Sequence, residues 1–155
     1  MSRPEHLYIF VLCPNNSGST LLAQLLGTSP KVSILPTEGQ WIAHRLAPGA
    51  MPFPEGTERR NWTSNEKKFA DPSNYDWPRI KAAWRQAWDP EKQVLVEKSP
   101  PMVIAAPLLQ EQFAPARFLL SVRNPIRRAC DEGPCMPSRE ACPRAGCGRS
   151  ASPVR

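Results

Sequence analysis

One stretch constrains this chain more than any other: LYIFVLCPNNSGSTLLAQLL, from Leu7 to Leu26. Residues 7–12 are aromatic, aliphatic and β-branched, and predict a buried parallel strand. A polar loop follows. Ser17, Gly18, Ser19 and Thr20 then open a helix with Leu21, Leu22, Leu25 and Leu26 on one face. Gly27 suits the residue just past that helix, and Pro30 blocks its continuation. A strand, a glycine loop and a helix N-terminus aim backbone amides and the positive end of a helix dipole at one centre. The hydroxyls of Ser17, Ser19 and Thr20 add donors, so an anion is the favoured ligand. The alternative is a plain Ser/Thr cap with no ligand. The triphosphate pattern G-x-x-x-x-G-K-[ST] needs a lysine after its last glycine. Here Ser19 follows Gly18, which argues against an ordinary nucleoside triphosphatase.

The rest of the chain repeats the alternation of strand and helix. KVSIL (31–35), QVLVEK (93–98) and ARFLLSV (116–122) predict three further strands. PTEGQWIAHRL leads through a turn into a short helix. WPRIKAAWRQAW (77–88) predicts an amphipathic helix with Pro78 near its first turn. Residues 99–113 predict another, with Pro107 inside it or at a kink, and RNPIRRACDEG begins a further loop-to-helix turn. Between them, residues 48–77 show no periodicity but carry Trp62, Phe69, Tyr75 and Trp77. They predict a long ordered loop or lid, its aromatics lining a pocket or forming a small satellite core. Strands separated by helices imply βαβ units, hence an α/β fold with a mostly parallel sheet.

At 155 residues the chain has room for one modest domain, here residues 1–133. Its net charge of +6 suits an anionic ligand. Nucleic acid is disfavoured as a partner, because no dense Lys/Arg tract with interleaved aromatics is present. No apolar run approaches the ~20 residues that span a bilayer. LYIFVLC is too short for a signal peptide and has no small-residue cleavage site, so cytoplasmic location is the default. The sequons at Asn15 and Asn61 are then read as chance. Nineteen prolines against eight glycines point to long irregular stretches.

After Gly133 the chain holds no aromatic and no Leu, Ile or Phe, so residues 134–155 predict a disordered tail. Four arginines and one glutamate there carry +3 of the net charge. An out-of-frame reading of a GC-rich gene yields such a mixture, and sequencing the gene tests whether the tail arose that way. Cys130, Cys135, Cys142 and Cys147 are spaced C-x4-C-x6-C-x4-C, without the short C-x2-C knuckle of most zinc sites. No metal site is therefore assigned. Cys13, at a strand end, reads as a small core residue.

Two blocks of this sequence resemble the sulfotransferase family. PNNSGSTLL is similar to its 5′-phosphosulfate loop, often P-x-x-S-G-T-T-x-L. VLVEKSPPMVIAAPLLQEQFAPARFLLSVRNP (94–125) resembles its run of strand, Lys-[ST]-Pro, helix, F-P-x-A-[KR]-F, strand and Arg-[DN]-Pro. The resemblance covers residues 5–132 and is closest to the carbohydrate and tyrosylprotein members. It implies a P-loop-NTPase-like parallel sheet flanked by helices. It also implies 3′-phosphoadenosine-5′-phosphosulfate (PAPS) as sulfuryl donor, no metal, and a hydroxyl acceptor on a small molecule, carbohydrate or tyrosine.

The implied roles fall on particular residues. Asn16, Ser17, Gly18, Ser19, Thr20 and Leu21 would cradle the 5′-phosphosulfate. Arg123 would bind the 3′-phosphate, where a guanidinium fork suits a dianion; otherwise it is a surface arginine after a strand. Glu38, 21 residues after Ser17, would be the base for the acceptor hydroxyl. It reads equally as a helix N-terminal glutamate, and His44 is a second candidate base. Lys98 would stabilise charge on the leaving phosphate, or else is a solvated strand end. The sequence departs from the family at Asn16, where many members carry Lys or Arg. It departs again at Asp131, where a serine usually follows the arginine by about eight residues, and neighbouring Cys130 is a poor substitute. A further C-terminal section is replaced by the tail, so the fold is expected to be incomplete, with apolar surface exposed. Two other readings stay open: a truncated remnant or anion-binding module without turnover, and a small-molecule kinase. The kinase would need a phosphate lysine and a strand-end acidic residue for Mg²⁺.

Overall fold

The computed structural model describes residues 6–53 and 66–124. The apolar runs become β1 (Leu7–Leu12), β2 (Val32–Ile34), β3 (Val94–Lys98) and β4 (Ala116–Leu120). They pair, all parallel, in the order β2-β3-β1-β4. Central β1 brings Phe10 opposite Glu97 of β3 and Phe118 of β4. The helices are α1 (Ser19–Leu26), α2 (Gly39–Leu46), α3 (Glu66–Ala70), α4 (Trp77–Ala87) and α5 (Ala106–Gln112). This is an α/β fold, a parallel sheet flanked by helices. The chain leaves β1 toward β2 on one side and comes back to β4 on the other. The loops at the carboxyl ends of the strands therefore part around β1, where open α/β sheets bind ligands. All these elements lie in the first of the chain's two units, Met1–Arg123; the second is Asn124–Arg155.

Side chains alternate across each strand, which divides the core. On one face Phe10, Leu12 and Leu95 pack with Ile42, Ile80, Trp84, Leu109 and Phe113 from α2, α4, α5 and the turn after α5. Phe113 is the hub. Its ring lies 5.0 Å from Tyr8, 5.2 Å from Phe10 and 5.6 Å from Trp84. The buried indoles lose no hydrogen bond: Trp84 Nε1 donates to Gly39 O at 2.8 Å and Trp88 Nε1 to Val96 O at 3.0 Å. The opposite face carries Val11, Cys13 and Val96, with α1 above it and Ala23 buried.

Several expectations need correction. Within 48–77 the chain is not one loop. It forms α3 and a 3₁₀ turn at Pro72–Asn74, and an Asp71 carboxylate accepting from Ser73 N–H starts that turn. Tyr75 and Trp77 belong to the main core rather than to a satellite. Residues 99–113 are two elements, a 3₁₀ turn at Pro100–Val103 and then α5. Pro107 falls in the first turn of α5, where its missing N–H costs nothing, so there is no kink.

The leucine face of α1 is only partly buried. The helix rests on the sheet through Ser19 and Ala23, and Leu21 and Leu25 stand 61% and 60% exposed. Gly27 has a right-handed φ of −67°, so torsion does not call for glycine. Space does, because a Cβ there would lie 3.1 Å from Ile34 Cδ1. At the sheet edge β4 leaves Leu120 70% exposed, and Val122 just beyond is 72% exposed. Asn61, Trp62, Cys130, Asp131, the helix expected after Arg123, the other three C-terminal cysteines and the tail at 134–155 lie outside the described residues.

Candidate functional site

The loop after β1 is built from torsion and burial. Asn16 (φ 57°) and Gly18 (φ 86°) both adopt the left-handed conformation. Glycine does so without strain and asparagine at little cost. A Cβ on Gly18 would meet nothing within 4 Å, so its torsion alone calls for glycine. No side chain caps α1, and its first turn carries no acidic residue. An anion at this helix end would meet the leading amides of α1 and the positive end of its dipole. Ser19 is buried and Thr20 exposed. Cys13 lies beneath, its thiol pushed up by burial and faced by the hydroxyls of Ser19 and Ser17. Apart from that weakly polar thiol, the buried Ser17 Oγ has no hydrogen-bond partner.

Glu38 ends the turn after β2 with extended backbone (φ −62°, ψ 140°) and precedes α2. Its Oε1 accepts from Lys98 Nζ at 2.8 Å and its Oε2 from Gln40 Nε2 at 2.8 Å. The ion pair is mostly shielded, the Lys98 and Glu38 side chains being 14% and 25% exposed. Glu38, Lys98 and Thr20 line one cavity of about 380 Å³, together with Gln24, Leu35 and Trp41. Arg123, after β4, donates from Nη1 to Asn16 O at 3.0 Å. The residues expected at the site thus come from the ends of all four strands to one edge of the sheet. His44 does not join them. It sits in the last turn of α2, stacked on Phe53 at 3.9 Å, and does not line the cavity.

Three neighbours of Glu38 escape the sequence reading. Gln40 holds the carboxylate from its own helix. Trp84 holds the Gly39 carbonyl. Glu97 is fully buried, and its Oε1 accepts from Gly39 N at 3.1 Å and from the Ser99 hydroxyl. Burial pushes the Glu97 carboxyl up to about 7, against the smaller lowering by those two donors. The available signal was alternation: Glu97 shares a strand face with Leu95, and so points into the core.

Among the described residues no three His, Cys, Asp or Glu side chains group as a metal site. No helix there is long and apolar enough to cross a membrane. Residues 9–136 match a family model described as the sulfotransferase family. No curated protein matches the chain.

Proposed function

The chain belongs to the sulfotransferase family, and from that premise we propose that it transfers a sulfuryl group from PAPS to an acceptor hydroxyl. The observation that carries this reading is the Glu38–Lys98 pair, 2.8 Å apart, in a cavity shared with Thr20 of the glycine loop. Catalysis needs a base and a cation beside the anion loop, whereas anion binding alone does not.

The residues present suit a phosphosulfate. Ser17 Oγ is buried with only a thiol beside it, and the cap residue of α1, Gly18, offers no side-chain acceptor of its own. Ser17, Gly18, Ser19, Thr20 and the leading amides of α1 would hold it, and Arg123 the 3′-phosphate. PAPS supplies an activated sulfuryl group on a phosphate leaving group. Glu38 would take the proton of the acceptor hydroxyl as its oxygen bonds to sulfur. Lys98 would neutralise the phosphate oxygen that keeps the electron pair of the broken S–O bond. In the resting protein each of these two groups satisfies the other. The cavity wall at Leu35 and Trp41 is the surface offered to the acceptor, whether a small molecule, carbohydrate or tyrosyl group.

Incubation with ³⁵S-labelled PAPS and a panel of phenols, sugars and tyrosyl peptides tests this. Labelled product is expected, with turnover falling about 10²–10⁴-fold in Glu38→Gln and in Lys98→Met. Undiminished turnover in either folded variant would contradict the assigned roles.

A further inference from the structure

We infer that Glu97 is a positioning residue: from the buried face of β3 its carboxyl accepts the first amide of α2, that of Gly39, and so holds the peptide next to Glu38 with the Glu38 carboxylate turned to Lys98 and the acceptor. The assignment rests on the proposed role of Glu38 as base.

The first turn of any helix leaves amides without partners, and the residue before the helix usually satisfies one of them. Glu38 occupies that place yet makes no capping bond. Its two oxygens are turned to Lys98 and Gln40. Glu97 acts on a different amide, the first of the helix, taking the Gly39 N–H at 3.1 Å. Consecutive strand residues point to opposite faces, so Glu97 and Lys98 grip neighbouring residues of one segment from two sides. Glu97 holds the backbone of Gly39, and Lys98 holds the side chain of Glu38.

The other side of Gly39 is fixed as well, since its carbonyl accepts from Trp84 Nε1 at 2.8 Å. The space around its Cα is filled by the same two residues, for a Cβ there would lie 2.7 Å from Glu97 Oε1 and 2.8 Å from Trp84 Cζ2. Ser99 donates to Glu97 Oε1 and sets the orientation of the carboxyl.

Packing alone does not call for an acid here. Glu97 is fully buried and its Oε2 has no partner, an arrangement that costs stability. The charged groups that act on it are Glu38, which favours its neutral form, and Lys98, which opposes it. Glu97 and Glu38 thus take different donors, Gly39 N–H and Lys98 Nζ, and do not compete for the lysine.

Two variants and one amide test the inference. In wild type the Gly39 amide is expected to exchange slowly with solvent, followed by NMR. Glu97→Gln keeps a neutral acceptor of the same shape, so it keeps that protection and keeps kcat. Glu97→Leu removes the acceptor. Gly39 exchange should then accelerate at least about tenfold, and kcat per folded molecule fall about 10–100-fold, with acceptor KM little changed. A merely structural role would lower stability without moving kcat of the folded fraction.

Free exchange of Gly39 in wild type overturns the inference. So does undiminished kcat in folded Glu97→Leu, or an equal loss in Glu97→Gln. If Glu97→Leu does not fold, wild-type exchange and Glu97→Gln decide. If wild type transfers no sulfuryl group, the functional reading fails, and Gly39 exchange separately decides whether Glu97 holds that peptide.

Discussion

Replacing Gly39 by alanine adds one methyl group where α2, α4 and β3 meet. Its φ lies outside the left-handed region, so alanine meets no torsional strain, and the helix preference of alanine would favour it by up to about 1 kcal/mol. Space decides otherwise. The new Cβ would lie 2.7 Å from Glu97 Oε1, 2.8 Å from Trp84 Cζ2 and 2.9 Å from Glu97 Cγ. Both neighbours are fully buried, so neither can swing into solvent, and each contact must open by about half an ångström against close-packed surroundings. Overpacking of this kind costs about 1–3 kcal/mol. Loosening the buried bond from Gly39 N–H to Glu97 adds about 1–2 kcal/mol. After the helix gain, a net loss of about 1–4 kcal/mol remains. For a chain of this size that lowers Tm by roughly 3–12 °C. Urea unfolding followed by circular dichroism, with a parallel thermal melt, measures it. Equal or greater stability in Gly39→Ala would refute the packing argument, because helix preference would then have outweighed the contacts.

Glu97 also predicts a pH dependence. Its folded pKa of about 7 lies above its ordinary 4.5, so its stabilising proton is fully bound below about pH 4.5. That contribution is lost as pH rises toward 7 and then levels off, a total of roughly 3 kcal/mol for a shift of this size. Glu97→Gln cannot ionise, so urea melts at pH 5 and pH 8 should show its stability relative to wild type rising with pH; a constant difference would contradict the burial of an ionisable Glu97. Phe113→Ala removes the hub shared by Tyr8, Phe10 and Trp84. It should cost about 3–5 kcal/mol by urea unfolding, and a loss below about 1 kcal/mol would mean that the aromatic core is not packed as described.

Local chemistry made the start of the chain legible. A run such as LYIFVL has few alternatives to a buried strand, and a glycine among hydroxyl residues before LLAQLL has few alternatives to a loop opening a helix. Glu38 and Lys98 were nameable because short patterns around strand ends carried the family resemblance. Their mutual contact was not, since 60 residues separate them in the chain. Glu97 was hidden for another reason: next to Lys98 a glutamate looks like part of a solvated strand end, and only the fold shows that its neighbour across the gap is a helix amide. The break between Val103 and Ala106 was obscured by apolar residues that suit one continuous helix. The exposure of Leu21 and Leu25 was obscured likewise, because periodicity identifies an apolar face but not what lies opposite it.

Calorimetric titration with 3′-phosphoadenosine-5′-phosphate, with ATP as control, tests the central claim most directly. Binding of that nucleotide well above ATP is expected, weakened by about tenfold or more in Ser19→Ala and in Arg123→Ala, since each would remove a polar contact to a charged phosphate. No preference over ATP in the folded protein, or wild-type affinity in either folded variant, would contradict placement of a phosphosulfate donor at the Ser17–Thr20 loop.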